Sequence, residues 1–165
     1  MPVALQGSCR CGAVRFSCRS HTPQPYQRCY CSICRKTAGG GGYAINIGAL
    51  AASIEVDDPH GVIGVFRAEI RRDGGSCRLS TAERRFCARC ATALWLLSPQ
   101  WPDLIHPFAS AIDSDLPAPP SLVHLMLAFK PAWVEPRIGP RDAVFDRYPD
   151  ESLEAWHRAR GLWVA

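Results

Sequence analysis

Three groups of closely spaced cysteines are the residues of this chain whose type and spacing could do chemistry. We call them the first pair (Cys9 and Cys11), the trio (Cys29, Cys31 and Cys34) and the second pair (Cys87 and Cys90), and together they contain seven of the nine cysteines. Structural zinc is closed by four ligands, whereas catalytic zinc keeps one position open for water or substrate. Seven thiolates fill one closed site and leave a second site with three protein ligands, which predicts an enzyme.

The two pairs predict the closed site. Together they supply four thiolates in the two-plus-two arrangement of structural zinc, and Gly12 allows a tight turn behind the first pair. A zinc site built from both pairs would join the first strand to a central hairpin and contribute to folding. The alternative is a redox couple of Cys87 and Cys90, with the first pair serving only as packing residues.

The trio predicts the open, catalytic site, because three thiols within six positions can face one ion. Arg35 and Lys36 follow directly. Their positive charges favour the thiolate forms and could receive carboxylates of a substrate, Arg35 through a bidentate fork. The alternative is a second closed zinc site with Cys18, Cys77 or a distant histidine as fourth ligand. Against it, Cys18 and Cys77 alternate with polar neighbours as inward-facing strand residues do.

Length, composition and charge limit the class of protein. With 165 residues, 47% of them hydrophobic and 21% charged, the chain is expected to form one globular domain over residues 1–165. A net charge of +4 is too small for a typical nucleic-acid-binding protein. The arginines at 67, 71, 72, 78, 84 and 85 predict solvated strand faces or a patch that attracts anions. The absence of a signal sequence and of a long apolar stretch predicts a cytoplasmic protein without a membrane partner.

Short strands separated by proline and glycine predict a mainly β, antiparallel fold. Val14, Phe16 and Cys18 share one face of the first predicted strand, Ala13–Cys18. Further strands are predicted at Tyr43–Ile47, Val62–Ile70, Ser76–Ser80, Ala93–Leu97 and Leu122–Phe129, with a turn at 73–75. Only residues from about 150 to 160 predict a helix, which ends at Gly161. The run Gly39–Gly42 predicts either a close approach of backbone to a ligand or a flexible turn.

The cysteine groups and their flanking residues resemble the signatures of the GFA family, which comprises glutathione-dependent formaldehyde-activating enzymes and centromere protein V. The similarity runs from Gly7 to about Lys130, and residues 153–157 resemble the usual end of the family. Tyr30 stands where many members have histidine, and Ala91 stands where a glycine is common. The resemblance implies a β-tent fold of antiparallel sheets with two zinc ions. The structural ion would be held by the two pairs and the catalytic ion by the trio.

The resemblance also implies a function. It implies a carbon–sulfur lyase-type enzyme similar to S-(hydroxymethyl)glutathione synthase, which joins formaldehyde and a small thiol, glutathione, in a reversible C–S bond. Two other functions stay open: a non-catalytic zinc scaffold that binds a partner, and a thiol redox protein. A homo-oligomer is compatible with each of these functions.

Overall fold

The structure is a computed structural model that describes residues 1–71 and 74–165. Arg72 of the predicted basic stretch and Asp73 of the predicted turn lie outside these residues. The described strands are β1 (Val3–Ser8), β2 (Arg15–Ser20), β3 (Gln27–Cys29), β4 (Ala44–Ile45), β5 (Ala49–Leu50), β6 (Glu55–Asp57), β7 (Ile63–Phe66), β8 (Glu69–Arg71), β9 (Cys77–Leu79), β10 (Glu83–Cys87), β11 (Ala93–Leu97), β12 (Leu104–Pro107), β13 (Val123–Leu125) and β14 (Ala143–Val144). The described helices are α1 (Ser32–Ala38) and α2 (Leu153–Ala159).

The first pair lies in the hairpin of β1 and β2, which forms a three-stranded antiparallel sheet with β6. Alternation along β2 buries Phe16 and Cys18 and leaves Arg15 and Arg19 exposed, as the sequence pattern predicts. Phe16 packs against Trp95 of β11 with ring centroids 5.0 Å apart. The hairpin therefore shares one hydrophobic core with the second sheet, and this core brings the two cysteine pairs together.

The second pair follows β10 in an antiparallel sheet of order β5-β12-β11-β10-β7. Cys87 is the last residue of β10, and a tight turn returns the chain to β11. The register between β10 and β11 shifts after Arg85, so the alternation of faces is interrupted there. Residues after the shift consequently face the opposite side of the sheet from the one that a regular alternation would predict.

The trio lies at the end of β3, in a sheet of order β14-β13-β3-β4. β13 pairs in parallel with both β3 and β14, while β3 and β4 are antiparallel. Helix α2 covers the core beside this sheet, because Trp156 stacks on Tyr26 with ring centroids 3.6 Å apart. The first residues after β3 enter α1, whose Cys34 is buried.

The predicted fold class is confirmed, since the structure is mainly β, with several antiparallel sheets and a short C-terminal helix. Three predicted strands are wrong in extent, and within Tyr43–Ile47 only the two residues of β4 form a strand. Val62–Ile70 divides into β7 and β8, which belong to different sheets, and only β13 forms within Leu122–Phe129. Met126 ends β13 with a left-handed backbone (φ 62°), and a turn of 3-10 helix follows. Helix α2 lies inside the predicted range of about 150 to 160.

Several elements were not predicted from the sequence, namely helix α1 and strands β1, β3, β5, β6, β10, β12 and β14. Cys77 is exposed on the two-stranded β8–β9 sheet, so its predicted inward orientation is wrong, whereas Cys18 is buried in the core. Within the described residues, no helix combines the length and the apolar character that crossing a membrane requires.

Candidate metal centres

The structure brings the first and second pairs into one four-cysteine site. Their four sulfur atoms all lie within 4.8 Å of one another, and Cys11 Sγ is 3.5 Å from Cys9 Sγ and 3.8 Å from Cys87 Sγ. Four sulfurs bonded at about 2.3 Å to a central ion would lie about 3.8 Å apart. Gly12 makes the predicted turn with φ +75°, and its N–H donates to the carbonyl of Cys9. The four-cysteine site therefore has the size and the donors of a tetrahedral thiolate site.

Thr92 connects the two halves of the four-cysteine site. The N–H of Arg10, between the two cysteines of the first pair, donates to Thr92 Oγ1 at 3.1 Å. The same oxygen is 3.2 Å from Cys90 Sγ. Hydrogen bonds from the side chain and backbone of Thr92 lower the pKa of Cys90 to about 5. Thr92 thus holds both halves in place and favours the thiolate form of one ligand.

The trio is brought together by one strand end and one helical turn. Its three sulfur atoms lie within 4.8 Å of one another, and no cysteine, histidine, aspartate or glutamate elsewhere in residues 1–71 and 74–165 joins this group. Cys31 is the N-cap of α1, and its sulfur accepts the N–H of Cys34 at 3.3 Å. The i, i+3 spacing of these two residues places both side chains on the same side of the first turn.

The acid–base behaviour of the trio favours a bound cation. Hydrogen bonds from the neighbouring thiols of Cys29 and Cys34 place the pKa of Cys31 far below its ordinary value. The same close neighbours raise the pKa of Cys29, because a second buried negative charge beside the first is unfavourable. A divalent cation removes this repulsion, and soft thiolate donors without carboxylates suit zinc. The residues present in both groups therefore fit a zinc ion.

Two side chains that the sequence did not predict contact the trio. Arg84 Nη2 donates to Cys34 Sγ at 3.6 Å, and Asn46 Nδ2 reaches the same sulfur at 4.0 Å. Of the two predicted substrate-binding residues, Lys36 is exposed on α1, and Arg35 is half-buried with a buried Nε that has no partner within the described structure. Both follow the trio directly, but neither makes a hydrogen bond to its sulfurs in the described ranges.

A buried series of side-chain hydrogen bonds holds the segment that carries the trio. Tyr30, between the first two cysteines of the trio, lies 2.9 Å from His124 Nδ1 through its hydroxyl, and His124 Nε2 lies 3.3 Å from Asp142 Oδ2. A carboxylate only accepts, so Nε2 of a neutral imidazole carries the proton and Nδ1 accepts from Tyr30. The Tyr30 N–H also donates to the carbonyl of Leu125 on β13. Tyr30, and with it the segment between Cys29 and Cys31, is consequently held by both its backbone and its side chain.

Sequence comparison identifies the family of the chain. The family model described as glutathione-dependent formaldehyde-activating enzyme (GFA) matches residues 4–125, which is most of the chain and includes all three cysteine groups. The chain belongs to the GFA family. A curated GFA relative from Halomonas elongata, named "Putative glutathione-dependent formaldehyde-activating enzyme", is 57% identical over 162 residues that cover 97% of this chain and 98% of the relative.

The fold of this GFA-family chain is also found in a solved structure. A crystal structure of a Rhodobacter sphaeroides protein matches with a TM-score of 0.50 and 21% identity, over 68% of this chain and 91% of that protein. This similarity concerns the fold alone.

The glycine run has a structural explanation in this GFA-family chain. Gly42 has φ +92°, and a Cβ built on it would lie 2.4 Å from Val134 Cγ2. Gly39 ends α1, and its N–H donates to the carbonyl of Arg35. The run therefore forms a turn between α1 and β4 that is closely packed at Gly39 and Gly42 and open at Gly40, which agrees with the turn prediction more than with the ligand-binding prediction.

Proposed function

We propose that this protein forms and cleaves the carbon–sulfur bond of a small thiol–aldehyde adduct, with glutathione and formaldehyde as the substrates that its family membership favours. The observation that carries the proposal is the trio. Its three sulfurs surround one point without a fourth metal-binding side chain in the described residues, and a guanidinium that no carboxylate neutralises lies beside them. A purely structural site has no need of an open position.

In this proposal the four-cysteine site holds structural zinc and the trio holds catalytic zinc. Zinc at the trio would supply a Lewis acid and an open position that favours the thiolate form of a substrate thiol. The thiolate adds to the carbonyl carbon of formaldehyde, the C–S bond forms, and the carbonyl electron pair moves to oxygen. The substrate thiol gives its proton to water and that oxygen takes a proton from water, so the protons balance and no oxidant or reductant is needed.

The protein's own residues position the reactants. The sulfurs of Cys29 and Cys34 are buried, which limits the access of water to the reaction point. We also propose that Arg35 and Lys36 bind carboxylates of the substrate, because they are positively charged and directly follow the trio in the chain. A cytoplasmic location is part of the proposal, since a reducing compartment keeps thiolate ligands free.

Metal content and formaldehyde consumption test the proposed function. We expect two zinc ions per chain, one of which a chelator removes readily, and loss of formaldehyde with glutathione above the uncatalysed rate. Cys31→Ala should lose one zinc ion and the activity, while Cys77→Ala, which changes an exposed cysteine outside both sites, should keep both. One tightly held zinc ion without activity would support a scaffold instead. A redox protein would be favoured if two cysteines of the trio formed a reversible disulfide in metal-free protein and if the protein reduced an oxidant.

A further inference from the structure

Arg84 is the arginine of β10 that no carboxylate neutralises in the described residues. Its neighbours in the basic stretch, Arg67 and Arg85, both form ion pairs with Glu83. Arg84 instead donates through Nη2 to Cys34 Sγ, while its Nη1 is buried without a partner among residues 1–71 and 74–165. A buried donor left without an acceptor is unfavourable, so a ligand that supplies the acceptor is bound more tightly.

Asn46 provides the complementary group. Its Nδ2 points to Cys34 Sγ, and its Oδ1 is buried without a donor in the same described ranges. The orientation of the amide follows from this contact, because a thiolate accepts from the nitrogen and leaves the oxygen free. Both side chains that contact Cys34 Sγ therefore also carry a buried group without a partner in the described ranges, the Nη1 donor of Arg84 and the Oδ1 acceptor of Asn46.

Both side chains extend from fixed backbone. Asn46 follows β4 and forms an isolated antiparallel bridge with Phe108, which is buried in the core. Arg84 pairs with Leu96 on one side and with Phe66 on the other, in the interior of the five-stranded sheet. The contacts of both side chains with Cys34 Sγ orient them from this paired backbone before a ligand binds, which is the condition for stabilising a charge that develops during a reaction.

The chemistry of the unused groups selects their ligand. A carboxylate only accepts hydrogen bonds, so it would satisfy Arg84 and leave the carbonyl oxygen of Asn46 without a donor. A hydroxyl on the adduct carbon can accept from Arg84 and donate to Asn46, which satisfies both. Arg84 and Asn46 are therefore complementary to a one-carbon hydroxymethyl group attached to sulfur.

We propose that Arg84 and Asn46 bind the oxygen atom of the aldehyde unit beside the trio, an assignment that rests on the proposed carbon–sulfur chemistry. As the thiolate attacks and the carbonyl electron pair moves to oxygen, Arg84 donates to the developing oxyanion. When that oxygen takes a proton from water, the new hydroxyl donates to Asn46 Oδ1. In the reverse direction the hydroxyl gives its proton to water, its oxygen forms the carbonyl while Arg84 still donates to it, and the electrons of the C–S bond leave with the thiolate.

A binding comparison tests this assignment independently of turnover. S-Ethylglutathione has the shape of S-hydroxymethylglutathione but carries a methyl group in place of the hydroxyl. With the adduct maintained by excess formaldehyde, competition calorimetry should give wild-type protein at least a tenfold preference for the adduct. In Arg84→Met and in Asn46→Leu the ratio of the two dissociation constants, S-ethylglutathione to adduct, should fall close to one. The preference should be retained in Arg85→Met, a control with the same substitution at the next residue, whose ion pair is with Glu83.

Rates separate this inference from the proposed function. We expect Arg84→Met to lower kcat by about 10²–10³-fold while the Kd of glutathione alone changes less than twofold. Normal zinc content and an unchanged unfolding midpoint show that a variant is folded, and Arg84→Lys should recover part of kcat because it restores charge and a donor. A wild-type protein without any rate enhancement would instead contradict the proposed function itself.

Two results would overturn the assignment while leaving the proposed function intact. One is an active wild-type protein whose adduct preference is absent or is the same in Arg84→Met and Asn46→Leu. The other is a tenfold or greater loss of glutathione affinity in Arg84→Met that disappears with glutathione diethyl ester, because Arg84 would then bind a carboxylate of the thiol.

Discussion

Ala91 has a backbone conformation that is unfavourable for a residue with a side chain. Its φ is +60°, and its N–H donates to the carbonyl of Cys87 at 2.8 Å, which closes the turn between the second pair and β11. A left-handed conformation costs an ordinary L-residue about 1–2 kcal/mol, whereas glycine adopts it freely. The geometry of the cysteine turn therefore dictates this backbone even though alanine occupies the position.

Ala91→Gly should stabilise the protein. Relief of the left-handed strain exceeds the entropy that glycine adds to the unfolded chain, so we expect the free energy of unfolding to rise by about 0.5–1 kcal/mol. Urea denaturation in zinc-containing buffer measures the change. Ala88→Gly is the matched control in the same turn, because Ala88 has a negative φ, and it should be neutral or slightly destabilising. Equal effects of the two substitutions would show that backbone strain at Ala91 is unimportant.

The position of the trio depends on β13, which is distant from it in sequence. β13 pairs in parallel with β3, and its His124 connects Tyr30 to Asp142. Burial alone would raise the pKa of Asp142, but hydrogen bonds from the N–H groups of Leu122 and Gly139 outweigh it and lower that pKa. The end of the chain beyond β13 thus supplies an anchored carboxylate for the segment that carries the trio.

Tyr30→Phe should weaken both the fold and the trio. The substitution leaves Nδ1 of a fully buried His124 without a donor, so we expect a loss of about 1–2 kcal/mol in unfolding free energy. Because the Tyr30 segment carries two of the trio, zinc affinity at that site should fall about tenfold. Competition with a chromophoric chelator measures it. Tyr43→Phe, an adjacent ring with no hydroxyl hydrogen bond in the described residues, should change neither quantity, and an equal effect there would argue against the hydrogen-bonded chain.

The sequence predicted the groups of cysteines better than it predicted their surroundings. The cysteines of each group are close in sequence, so each group could be recognised from its spacing. Cys31 and Cys34 also have the i, i+3 spacing of the helical turn that they begin. Helix α1 was missed because it has seven residues and no acidic residue in its first turn. Arg84 and Asn46 were missed because they lie 50 and 12 positions from Cys34, and their contacts depend on how different strands come together, which local spacing does not show.

The two cysteine sites differ in what they join across the molecule. The four-cysteine site connects Cys11 to Cys87, 76 positions apart, and so links the hairpin of β1 and β2 to the five-stranded sheet. The trio spans only the six positions from Cys29 to Cys34. The entropy of loop closure makes the longer connection more stabilising by about 2 kcal/mol.

Loss of a ligand at the two sites should consequently have unequal effects on stability. In excess zinc we expect Cys11→Ser to lower the free energy of unfolding by about 2 kcal/mol more than Cys31→Ser does. Neither cysteine is fully buried, so differences in packing contribute little to the comparison. Calorimetric unfolding provides the measurement, and chelator added to both variants should abolish the difference. A larger loss in Cys31→Ser would contradict the division into a structural and a catalytic site.

The parallel pairing of β3 with β13 also has a consequence for the order in which the protein matures. During synthesis the trio leaves the ribosome about 90 residues before β13, while Leu125, His124 and Asp142 are still to be made. The nascent chain therefore presents three thiols without the partners that fix their segment. For the metal proposed at the trio, we expect stable loading only after translation has passed residue 142, with the thiols open to oxidation until then.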